Sequence, residues 1–403
     1  MKPIRIIKIL KGNVIVISSI TILFFLIIFS DTSKYLVSEQ LIKTNAVNLD
    51  VRKYRLFSHK VLIAFNQNDS KIYAVQTNAR RDSANKEVIQ QITFDKNYKH
   101  PLMKEFINLP NNNPMIHEVI LDIQYDEGKI YISSMKNELN NNECYFLLLH
   151  EYNLNNKGWK EIFRSTPCVS LVDFQNIGGR ITHNQNSIFV AAGNILYAHK
   201  KKNIIKNYEE QINTTNIFGN VLEIDKETYV PTKKSSGHRY ISGLFYDSHR
   251  EILWETEHGP RGGDELNKIE SGDDYGWPNV SYGLVYNKQN NKDSWIQNSH
   301  ENFKKPFFSW TPSIGISQVR VIESEGKLFE IWGKNDLIVS SLKNESIYRL
   351  RVEDNKVIYS EKIYIGERIR SLIVLQDVLL ISTDDGSIIT VQKSKVPLMT
   401  GAF

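Results

Sequence analysis

The chain has 403 residues, 41% hydrophobic and 24% charged, a balance that excludes wholesale disorder. Two cysteines exclude both a disulfide-dense scaffold and a four-cysteine zinc site. The net charge is +5, but Lys2, Arg5, Lys8 and Lys11 all precede the first acid, Asp31. The remainder is near neutral and offers no basic face for nucleic acid.

The first predicted element is apolar. Gly12 to Ser30 is a run of 19 residues without a charge. As a helix it would span about 28 Å, the hydrocarbon thickness of a bilayer. Its basic flank should stay cytoplasmic, so the bulk of the chain is exported. The run is long for a signal peptide and no clean small-x-small site follows it, which favours an uncleaved anchor over cleavage and secretion. A buried core helix is the other reading. The expected organisation is a signal-anchor over 1–30, a polar tether over 31–50 and one domain over 51–403. The expected location is the cell envelope, anchored in the inner membrane with the domain on the periplasmic side.

After residue 50 no long segment carries a strong 3.6-residue apolar period. Short aliphatic-aromatic runs alternate with Asn, Asp, Gly and Ser turns, which predicts strands. One pattern recurs at Ile72-Tyr73-Ala74, Ile130-Tyr131-Ile132, Ile188-Phe189-Val190, Leu253-Trp254-Glu255, Leu337-Ile338-Val339 and Leu379-Leu380-Ile381. Six repeats averaging about sixty residues predict an all-β, six-bladed β-propeller. A pair of β-sandwiches fits six similar units less well.

Cys144 and Cys168 flank a turn at Asn155-Asn156-Lys157-Gly158. A regular hairpin would set them opposite each other, at a separation compatible with a disulfide. An oxidising compartment would permit the bond; two buried thiols are the alternative.

The most informative stretch runs Leu253-Trp254-Glu255-Thr256-Glu257-His258-Gly259-Pro260-Arg261-Gly262-Gly263-Asp264-Glu265-Leu266-Asn267, then Tyr275-Gly276-Trp277-Pro278. It reads as a strand, a glycine-rich loop and a second strand. Such a loop can aim carbonyls at a cation or amides at an anion, or it can be a plain turn. The stretch resembles the soluble aldose sugar dehydrogenases, or glucose/sorbosone dehydrogenases. Supporting matches lie at Gly178-Gly179-Arg180, Gly237-His238-Arg239, Trp310-Thr311-Pro312-Ser313, Ser340-Ser341-Leu342-Lys343 and Gly366-Glu367-Arg368-Ile369-Arg370. The resemblance covers about 176–392 and is poor over 31–170.

The resemblance implies a six-bladed propeller that uses pyrroloquinoline quinone (PQQ) and calcium at the mouth of its channel. It implies that Gly259 and Pro260 offer carbonyls to the calcium. Arg239, Lys343 and one or both of Arg368 and Arg370 would face the quinone and its carboxylates, with His258 beside them and Arg239 also serving catalysis. Cations suit a cofactor with three carboxylates. A sugar substrate and a respiratory electron acceptor follow from the same reading, and a membrane partner follows from the N-terminal apolar run.

Two positions depart from the family pattern. Asn176 fills the slot of the histidine that acts as base, and an amide is no useful base. Tyr240 replaces a polar residue after Arg239. His183, His238 and His258 could substitute only through a changed geometry. The functional alternatives are therefore an aldose-oxidising quinoprotein and a propeller without catalysis that binds a sugar or a protein. A metal-dependent lactonase has no convincing carboxylate constellation here.

Overall fold

In strand β4 (Lys71–Gln76) neighbouring side chains enter different cores. Ile72 and Ala74 pack on one side of the strand, Tyr73 and Val75 on the other, and all four are buried. A strand buried on both faces has a continuous apolar run rather than alternation, which explains the recurring sequence pattern.

The computed structural model describes residues 35–44, 47–67, 69–77, 88–109, 118–138, 141–166, 168–170, 177–194, 217–284, 299–323 and 332–396. They form a six-bladed β-propeller. Blade 1 is β3 (Val61–Asn66), β4, β5 (Val88–Phe94) and β6 (Pro101–Asn108). Blade 2 is β7 (Glu118–Asp126), β8 (Lys129–Glu138), β9 (Asn141–Asn153) and β10 (Gly158–Arg164), with the short β11 (Val169–Ser170) also on β9. Blade 3 runs through β12 (Gly178–His183), β13 (Ser187–Ala192), β14 (Asn220–Asp225) and β15 (Pro231–Ser235). Blade 4 is β16 (Ile241–Asp247), β17 (Ile252–Glu257), β18 (Asp264–Ile269) and β19 (Phe308–Trp310). Blade 5 is β20 (Ile316–Val321), β21 (Leu337–Ser341), β22 (Ser346–Glu353) and β23 (Lys356–Tyr364). Blade 6 joins β24 (Ile369–Val374), β25 (Leu379–Thr383) and β26 (Ser387–Lys393) to β2 (Asn48–Arg55) and β1 (Leu36–Lys43).

The six recurring motifs are the second strand of each blade. The first strands, β3, β7, β12, β16, β20 and β24, pack in that order around the channel, and β24 closes on β3. Six apolar clusters fill the six seams between blades.

Residues 36–43 correct the expected tether: they form β1, paired with β2, which itself pairs with β26. The propeller thus begins before residue 51. Six of the eight β1 residues are exposed in an unbroken run, so the segment lacks the half-buried alternation that reveals a strand. The expected anchor over 12–30 lies outside the described residues. Among the described residues no helix is long and apolar enough to cross a membrane.

Cys144 and Cys168 are bonded, with their Cα atoms 5.4 Å apart. The simple hairpin register does not hold along the whole pair. It shifts between Glu161 and Phe163, and Ser170 rather than Cys168 stands opposite Cys144.

Candidate active site

The glycine-rich loop joins β17 to β18. At Gly259 an added Cβ would overlap the carbonyls of Gly262 and Gly263, so the loop closes only around a bare Cα. Gly262 and Gly263 have φ of 94° and 68°, in the left-handed region. Asp264, fully buried, staples the loop to blade 5. Its Oδ1 accepts Gly259 N–H at 3.1 Å, and its Oδ2 accepts Gly315 and Ile316 N–H at 2.7 and 3.0 Å.

A cavity of about 620 Å³ opens over this loop, within the ordinary range for a small-molecule site. His258, Gly259, Pro260 and Arg261 form one wall; Thr311, Ser313 and Lys343 stand in the others. Among the described residues, Ser313 Oγ is buried without a partner, and Lys343 has no carboxylate within 4.0 Å. Arg239 meets the loop from behind. Its Nη1 donates to the carbonyls of His258 (2.8 Å) and Gly259 (3.1 Å), and its guanidinium lies 5.2 Å from the Trp277 ring.

His258 stacks on Tyr240, ring centroids 4.9 Å apart, and donates its backbone N–H to the Tyr240 carbonyl. Burial pushes its imidazole down to about 4; Arg239 and Arg370 act the same way, and Asp264 and Glu257 oppose them. The ring that borders the cavity is therefore neutral at neutral pH. Lys60, immediately before β3, is likewise pushed down to about 7 by burial, then by Arg370 and Arg180.

The structure brings His258, Gly259, Pro260, Arg239 and Lys343 together. Arg368 and Arg370 are not among the residues that line the cavity, although Arg368 Nη1 reaches the carbonyl of Leu342, next to Lys343, at 3.5 Å. Both are drawn to Asp384: Arg368 Nε lies 2.8 Å from Oδ2, and Arg370 engages both carboxylate oxygens. Asn176 lies outside the described residues. His183 ends β12 at the other end of the channel, its Nε2 3.1 Å from the Tyr125 carbonyl. His238 is fully buried, 2.9 Å from Ser235 Oγ and stacked on Tyr275, outside the cavity. Sequence reasoning missed Arg261, Asp264, Thr311 and Ser313, although all four lie in quoted motifs.

Behind the loop, β17 and β18 pair Glu257 with Glu265 and Glu255 with Asn267. Together with His238 these make a buried polar cluster. Ligand atoms of His238, Glu255 and Glu257 lie within 4.8 Å of one another, an arrangement able to hold a cation. Burial, then repulsion from Glu257, raises both Glu255 and Glu265 well above the usual carboxylate range. Without a cation, the cluster keeps protons instead.

Residues 115–390 match the glucose/sorbosone dehydrogenase family. The chain belongs to that family. Among its relatives, an uncharacterised protein of Synechocystis sp. is 36% identical over 143 residues, which is 35% of this chain and 34% of that protein. Aldose sugar dehydrogenase YliI of Escherichia coli is 30% identical over 159 residues, 38% of this chain and 41% of that one. These matches span about a third to two fifths of the relatives' own length. Two solved structures share the fold of this glucose/sorbosone dehydrogenase family member. The apo soluble aldose sugar dehydrogenase of Escherichia coli superimposes with a TM-score of 0.66 at 18% identity, over 85% of this chain and all of that one. The PQQ-bound aldose sugar dehydrogenase of Streptomyces coelicolor gives 0.55 at 16% identity, over 89% and 98%.

Proposed function

We propose that the chain is an exported, membrane-tethered quinoprotein that oxidises aldose sugars or related alcohols and passes electrons to a respiratory acceptor. The observation that carries this reading is the convergence of the Gly259–Pro260 loop, Arg239 and Lys343 at one cavity. The residues suit an anionic quinone. Lys343, unpaired with any described carboxylate, and the orphaned Ser313 Oγ both wait on the cavity wall for an acceptor. PQQ, when bound, supplies a two-electron acceptor for the substrate's hydride.

Calcium fits this geometry less well than the quinone does. The Gly259 carbonyl already accepts a hydrogen bond from the Arg239 guanidinium, whereas no described donor reaches the Pro260 carbonyl. A divalent cation would take Pro260 oxygen and share Gly259 oxygen beside a like charge.

Lys343 would bind the acidic groups of the cofactor, and Arg239 would hold the loop backbone in place beneath it. The neutral His258 imidazole offers a lone pair to the sugar hydroxyl proton. Its low pKa makes it a weak base, which trades basicity for readiness. Asn176 supports the second reading, a propeller that binds its ligand without turning it over.

The test is titration of the purified protein with PQQ, with and without calcium, followed by an aldose and a dye acceptor. Micromolar PQQ binding and sugar-dependent bleaching of the dye support the enzyme. PQQ binding without turnover favours the binding module. Absence of PQQ binding at micromolar concentration removes the proposed function.

A further inference from the structure

Four arginines are buried among the described residues: Arg52, Arg180, Arg320 and Arg349. Three of them have a carboxylate close by: Arg52 at 2.7 Å from Glu39, Arg180 at 3.4 Å from Asp122 and Arg349 at 3.3 Å from Asp336. Arg320 has none within 4.0 Å among the described residues. Its Nη1 donates to the carbonyl of its neighbour Val319 at 2.8 Å, and its guanidinium lies 5.1 Å from the Phe245 ring. Arg320 is only 8% exposed, yet it lines a second cavity of about 420 Å³.

That cavity occupies the far end of the channel. It is walled by residues at or near the ends of β3, β7, β12, β20 and β24, whereas the candidate active site lies where β16 and β20 begin. We propose that this second cavity is an anion site, taking a small carboxylate with an apolar body whose acid group sits on Arg320. A buried cation without a counter-charge is costly, and an entering carboxylate removes that cost while making paired hydrogen bonds to the guanidinium. Ile63, Ala64, Val321 and Ile373 offer aliphatic wall to the remainder of the ligand. Acids native to the cavity do not fill the role. Asp126 is held by Lys226 at 2.5 Å and faces His183 at 3.5 Å, while Glu127 and Glu323 are exposed at the rim. Burial lowers Arg320 to about 10, with Arg180 acting the same way and Asp122 and Glu323 opposing, so the guanidinium stays charged at neutral pH.

The experiment is titration of the full chain with benzoate, and with benzamide as the neutral isostere, read by calorimetry and by the melting temperature. Benzoate should bind in the millimolar range or tighter and raise the melting temperature, and benzamide should do neither. Arg320→Met should weaken benzoate roughly tenfold or more. Gln124→Trp, on the partly exposed cavity wall, should block it with the arginine retained, and decides the matter if Arg320→Met fails to fold. Lys343→Met should leave benzoate binding unchanged. Equal binding of the two probes, no binding at about 10 mM, or loss in Lys343→Met with retention in Arg320→Met and Gln124→Trp would each overturn the proposal.

Discussion

A single aspartate shows how the candidate active site is assembled. Asp264 has no exposed surface, and its two oxygens bind three backbone N–H groups from two blades. A carboxylate satisfied in this way is a structural staple, not an available base. His258, in contact with the cavity, is the titrating group to follow. Its imidazole is pushed down to about 4 in the folded protein, against about 6.5 when unfolded. Between those values the unfolded chain binds the extra proton, so stability falls as the pH is lowered from 6.5 to 4 and levels off below. The expected loss is on the order of 3 kcal/mol. His258→Asn should remove that part of the acid destabilisation, as read from urea midpoints at a series of pH values. The same variant should lower any aldose turnover about 10²–10⁴-fold if the ring takes the proton. Unchanged turnover would exclude His258 as the base.

At the scale of one element, the glycines of blade 4 make two contrasting predictions. Gly259→Ala must push a methyl into the facing carbonyls and should cost about 2–3 kcal/mol while weakening PQQ binding. Gly272 also has a left-handed φ, 87°, but faces open space, so Gly272→Ala should cost about 1 kcal/mol and leave PQQ binding intact. Thermal melts and cofactor titrations of both variants check the pair. The carboxylates behind the loop give an opposite sign. Glu255 is held protonated beside Glu257 and Glu265, so its contribution is lost as pH rises through its elevated folded value. Glu255→Gln should therefore gain on the wild type at pH 8 by about 1–2 kcal/mol. A calcium-dependent loss of stability in this variant would show that the cluster holds a cation.

The loop was legible in the sequence because three glycines and a proline within five residues leave few backbone options. The partners of Arg368 and Arg370 were not legible. Asp384 reaches them from the turn after β25, and nothing in the local spacing announces that pairing. Glu255 and Glu265 escaped notice for a related reason. Only the cross-strand register brings them, Asn267 and His238 to one place.

Across the whole molecule, the repeated second strands were visible because both their faces are buried. Blade 4 spaces its motif 84 residues from that of blade 5 because loops between β18 and β19 and between β20 and β21 intervene. β1 left no such trace, being an exposed edge strand whose Leu36, Val37 and Leu41 face solvent instead of a core. The 144–168 disulfide closes a loop of 24 residues in blade 2 and should contribute about 3–4 kcal/mol. Cys144→Ser with Cys168→Ser should lower the unfolding free energy by that amount, read as a lower urea midpoint; an unchanged midpoint would place the bond outside the cooperative unit. Removal of residues 1–34 should leave the melt cooperative, whereas removal through Arg55 takes β1 and β2 from blade 6 and should abolish it.

Because Leu49 pairs with Lys393, β2 can find its place only after the chain has been made through β26. The ring is shut by a clasp that joins β1 and β2 to β26. Until that strand is made the propeller would remain an open arc, with its first two strands waiting.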